Sequence, residues 1–73
     1  MAMNQEVLLE QLVAAVRQVG ILEKQVADQL QIVELLEHYG RDTAVAREAL
    51  ATLERTHRLN GERRNQLRVL LEG

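Results

Sequence analysis

Few side chains in this 73-residue chain could do chemistry: His38, His57, Tyr39, Thr43, Thr52, Thr56, eleven carboxylates and a set of arginines. Cysteine and serine are both absent, and none of the threonines, nor Tyr39, stands in a His/Asp pattern that would activate a hydroxyl as a nucleophile. Glu34 and His38 have the i, i+4 spacing that places two metal ligands on one helix face. Glu54-Arg55-Thr56-His57 has the Glu-x-x-His spacing of di-iron carboxylate bundles. Such a centre also needs inward-facing acids on neighbouring helices, which the apolar rows described below do not supply. These groups read as a solvated face, and neither an enzyme nor a metal or cofactor protein is expected.

The arginines offer a different chemistry. Arg55, Arg58, Arg63, Arg64 and Arg68 recur so that several can share one helix face, a candidate nucleic-acid contact through phosphate charges. Against it, Glu54, Glu62 and Glu72 dilute the stripe, and the chain has no Trp or Phe on which a base could stack. Residues 1–40 carry six acids against Arg17 and Lys24, a net charge of -4, while residues 41–73 carry seven Arg against five acids, a net +2. Acidic and basic halves can pair with one another. Structural ion pairs are the simpler expectation, and a nucleic-acid-binding regulator is the alternative.

The elements that position these groups follow from size and pattern. A single core of 73 residues is marginal, because a chain this short buries too little of its surface. Disulfides are excluded by composition and metal is improbable on ligand count, which leaves association with a partner chain. Ala, Leu, Val, Glu, Gln and Arg dominate and Pro is absent, as in long paired helices. No apolar stretch approaches the ~20 residues needed to span a bilayer. The N-terminus lacks a cationic start followed by an apolar run, so a cytoplasmic location is expected.

From Asn4 to Tyr39 the residues Leu8, Leu12, Ala15, Val19, Leu22, Val26, Val33 and Leu36 alternate in steps of three and four. Gln29 is the one polar member of this coiled-coil row. Asn4 is suited to cap the helix, with Glu6 beside the positive end of its dipole. Leu9, Val16 and Leu30 widen the apolar surface on one flank, and Ile32 and Tyr39 on the other. Gly20 costs ~1 kcal/mol relative to Ala in a helix interior. It reads as a tolerated small residue, with a hinge or a close helix approach as the alternative.

Gly40-Arg41-Asp42-Thr43 is the strong stop-and-start signal. Glycine can close a helix in the left-handed conformation, and Asp42 or Thr43 can cap the next one. A connection this short forces antiparallel neighbours. The chain is therefore expected to be all-α: helix 1 over about 4–39, a turn at 40–42 and helix 2 over about 43–72. Ala46, Ala49, Leu50, Leu53, Leu67, Leu70 and Leu71 share one face of helix 2, with Thr56, His57, Asn60, Arg63 and Arg64 between them. Asn60-Gly61 could end the helix there, but the heptad phase kept from Leu53 to Leu67 favours one continuous helix.

Folding the chain about residue 41 sets Leu36 against Ala46, Val33 against Ala49, Gln29 against Leu53, Ala15 against Leu67 and Leu12 against Leu70. The same folding sets Val26, Leu22 and Val19 against Thr56, Asn60 and Arg63, a poor match. Either helix 2 is displaced there or helix 1 satisfies that stretch with another chain, and the second explains more because helix 1 has more apolar surface than one neighbour can cover. An oligomer interface is expected through Leu8, Leu9, Leu12, Val16, Val19, Leu22, Val26, Leu30 and Val33, two hairpins forming a four-helix bundle.

The stretch from Val26 to Glu54 resembles a group of short, uncharacterised proteobacterial helical proteins. The elements in common are Leu36-Glu37, Gly40, Asp42-Thr43, Ala46 and Leu50 to Glu54, over about residues 25–55. The resemblance implies a bacterial origin and a helical hairpin without naming an activity. The architecture is also similar to plasmid copy-control hairpins, which pair two hairpins and bind RNA, at the level of fold only. The reading favoured is a small homodimeric interaction or scaffold protein, with no membrane contact. Beside the nucleic-acid alternative stands a third, an adaptor or inhibitor that docks helix 1 into another protein's groove.

Overall fold

A computed structural model describes residues 4–73, and among these the only regular elements are two helices packed against each other: α1, Gln5–His38, and α2, Ala44–Glu72. Both helices begin where a side chain accepts an open N–H, and α1 ends on a glycine whose backbone closes the last turn. Asn4 has extended φ and ψ of -61° and 133°, and its side-chain oxygen accepts the Glu6 N–H at 2.8 Å. At the other end Gly40 takes φ +64°. Its N–H donates to the Glu37 carbonyl at 3.1 Å and the Arg41 N–H to the Leu36 carbonyl at 2.8 Å, the paired bonds of a Schellman closure.

The start of α2 is capped from one residue earlier than its N-cap. Asp42 accepts the Ala44 N–H at 2.9 Å, while the Thr43 side chain makes no bond to the helix backbone. The Thr43 hydroxyl instead accepts from Arg47 Nε at 2.9 Å, and the same guanidinium bonds Glu37 across the turn. One arginine so ties the last turn of α1 to the first turn of α2.

The helix α2 runs unbroken through Asn60-Gly61. Its polar middle is satisfied along its own length. Thr52 bonds the Glu48 carbonyl at 3.1 Å, Thr56 that of Thr52 at 2.9 Å, and Asn60 that of Thr56 at 2.8 Å. Back-bonding of this kind lets short polar side chains sit in a helix interior without breaking it.

In α1 the covered positions are Leu8, Leu12, Ala15, Val19, Leu22, Val26, Gln29, Val33 and Leu36, all at least half-buried. In α2 they are Ala46, Leu50, Leu53, His57, Asn60, Arg64, Leu67 and Leu71, again in steps of three and four. Laid antiparallel, these rows set Leu8 by Leu71, Leu12 by Leu67, Ala15 by Arg64, Val19 by Asn60, Leu22 by His57 and Val26 by Leu53. Leu8, Ala15 and Leu67 form a core cluster with Leu12 and Leu71 packed on it. Near the turn, Gln29 Nε2 donates to the Ala46 carbonyl at 3.1 Å.

This corrects the expected register. Helix 2 is rotated so that Leu50 and Leu71 are covered, while Ala49 is exposed and Leu70 is 62% exposed. Two leucines bury more apolar area than an alanine and one leucine, which favours the rotation. The same rotation moves Thr56 and Arg63 out and brings His57 and Arg64 in. Arg64 can lay its apolar stem along the seam and keep its charged end near water, whereas His57 enters with its Nε2 buried. The small side chain of Ala15 leaves room for Arg64.

Candidate interaction surface

The residues expected at an interface between copies divide into two sets. Leu8, Val19, Leu22 and Val33 are buried by the hairpin itself, Val19, Leu22 and Val33 to 3% exposure each. Leu12 and Val26 are half-buried in the same seam. These six are covered within one chain. Leu9, Val16 and Leu30 are left 45–52% exposed.

Around those three the structure assembles a longer row. Leu9, Val13, Val16, Gly20, Glu23, Ala27 and Leu30 follow one another at alternating steps of four and three, all on the exposed surface of α1. They lie on the side of the hairpin that carries the Glu37–Arg47 pair, since Leu30 and Glu37 are one heptad apart. This is a second coiled-coil row parallel to the one α2 covers. Val13 and Ala27 were missing from the sequence-level surface because a wide apolar helix face does not show which residues its own hairpin partner will cover. The four-and-three spacing that starts at Leu9 was the signal available.

Gly20 sits at the middle of the row. A Cβ added there would meet nothing within 4 Å. The hairpin therefore does not require glycine at this position, and its helix cost is not repaid by close packing within the chain. A shallow depression beside it, lined by Arg17, Ile21, Lys24, Gln25 and Asp28, opens on the outer flank of α1 rather than along the row.

Glu23, the one charged member of the row, leans toward the seam. Its Oε1 lies 3.6 Å from His57 Nε2, an ion-pair distance if His57 is protonated but too long for a hydrogen bond. That nitrogen is buried and has no hydrogen-bond partner. The carboxylate that His57 approaches is Glu23 of α1 rather than Glu54, the residue three positions earlier with which it shares the Glu-x-x-His spacing. Among the described residues no three His, Asp or Glu side chains converge into a metal-sized cluster.

The arginines are not gathered on one face. With ~3.6 residues per turn they are distributed around the circumference of α2. Arg64 is half-buried in the seam, and Arg63 borders a groove with Gln11, Gln18 and Asn60 on one side of the hairpin. Arg58 and Arg68 fall on the opposite side, and Arg55 points outward. No described helix is long and apolar enough to cross a membrane. Comparison with protein-family models, curated protein sequences and solved structures finds no match to this chain.

Proposed function

We propose that the protein is a small helical interaction module that works as a homo-oligomer, two hairpins associating through α1 into a four-helix assembly. The observation that supports this most is the second row on α1, where Leu9, Val13, Val16 and Leu30 remain 43–52% exposed after α2 has taken the first row. A sustained three-and-four repeat is the pattern by which helices recognise other helices. A chain this small also gains from a partner, because among the described residues one hairpin seam buries only six side chains.

Association links stability to concentration, since a partner that binds only the folded chain adds to its free energy of folding. The midpoint of thermal unfolding should rise with each tenfold increase in protein concentration. A midpoint independent of concentration, in a fully helical chain, contradicts the proposal.

The alternative of a nucleic-acid regulator has less support, because the arginines that would carry it face in different directions. Docking of α1 into a different protein draws on the same exposed row and lacks the internal symmetry described next.

A further inference from the structure

We infer that the partner on the second row of α1 is a second copy of the same chain, packed antiparallel with Gly20 against Gly20 at the two-fold axis. This rests on the proposal of self-association and adds the face and the direction.

The row is matched to its own reverse. Turned end for end about Gly20, Gly20 meets its counterpart, Val13 meets the partner's Ala27, and Leu9 falls within one residue of the partner's Leu30. A two-fold interface requires this self-complementarity, residue i on j and j on i. Leu9 and Leu30 are separated by about 32 Å of helix at ~1.5 Å per residue, several turns on either side of the axis. A glycine at the crossing lets two helix backbones approach closely.

Charge decides the direction. In a parallel, in-register pair Glu23 would stand on the partner's Glu23 in the middle of an apolar row. In the antiparallel pair centred on Gly20 it stands level with the partner's Arg17, a cation with no ion pair among the described residues, and one residue from the partner's Val16. Glu6 and Glu34 meet at the open ends of the antiparallel row, where water and salt screen them. The hairpin measures 57 × 15 × 14 Å. Gly20 lies near the midpoint of α1, Gln5–His38, so an antiparallel overlap centred on it covers nearly the whole helix.

The chain has no cysteine, so single cysteines report contacts without background. Under mild oxidation Gly20→Cys should form a disulfide between copies, whereas Gln18→Cys, on the opposite side of α1, should not. A mixture of Leu9→Cys and Leu30→Cys chains should cross-link to each other, and neither to itself. Gly20→Ala should weaken association at least tenfold while leaving the hairpin fully helical. If the chain self-associates but Gln18→Cys cross-links, if Gly20→Cys does not, or if Leu9→Cys pairs with itself, the face or direction is wrong and self-association still stands. A chain monomeric under all these conditions overturns both.

Discussion

Glu23 Oε1 and His57 Nε2 lie 3.6 Å apart, joining the seam inside the hairpin to the exposed row outside it. His57 occupies a position between Leu53 and Asn60 that an apolar residue would fill without loss, and its buried nitrogen has no hydrogen-bond partner. His57→Leu should therefore raise the unfolding free energy by about 1–2 kcal/mol, from removal of the unsatisfied group and added apolar burial. Urea denaturation at matched protein concentration measures it. A variant less stable than the parent would show that the contact with Glu23 outweighs the burial cost.

The turn gives a pair of opposed glycine predictions. Gly40 has φ +64°, where a Cβ is strained, so Gly40→Ala should cost about 1–2 kcal/mol. Gly61 lies within α2 with open space around it, so Gly61→Ala should stabilise by ~1 kcal/mol. Thermal unfolding followed by circular dichroism reads both, and equal effects of the same sign would mean that the Schellman closure is not what ends α1.

The cap at Asp42 is worth testing separately from Thr43. Asp42 holds the Ala44 N–H and Thr43 does not cap the backbone, so Asp42→Ala should lose about 1 kcal/mol. Thr43→Ala should lose less, through the Arg47 contact alone.

Packing in the seam sets the largest effects. Leu22 is 3% exposed, and Leu22→Ala should cost about 2–4 kcal/mol, a large share of what so small a domain has. Val45 is 81% exposed on α2 and outside both rows, so Val45→Ala should change stability by less than ~0.5 kcal/mol. Similar losses at both would contradict the register described for the hairpin.

Much of this shape is legible in the residues. The order Asn4, Gly40, Asp42 marks the helix ends because each supplies a specific backbone conformation or acceptor. The rotation of α2 was not legible from apolar residues alone. Ala49 and Leu50, and Leu70 and Leu71, are adjacent pairs that fit either of two rows, and the residues that separate the rows are His57 and Arg64 against Thr56 and Arg63. Polarity argues against all four, and Arg63 and Arg64 are the same residue type, so neither polarity nor side-chain length tells one row from the other. The interaction surface suffered from the same ambiguity, since Val19 and Leu22 look like surplus until His57 and Asn60 are seen to cover them.

Self-association is the central proposal, and light scattering of the purified chain across a hundredfold concentration range addresses it without any substitution. The chain mass is 8.3 kDa. A mass twice that value at the upper concentrations is expected, falling toward the single-chain mass on dilution. A helical chain that stays at 8.3 kDa throughout would show that the Leu9–Leu30 row of α1 does not hold a second copy.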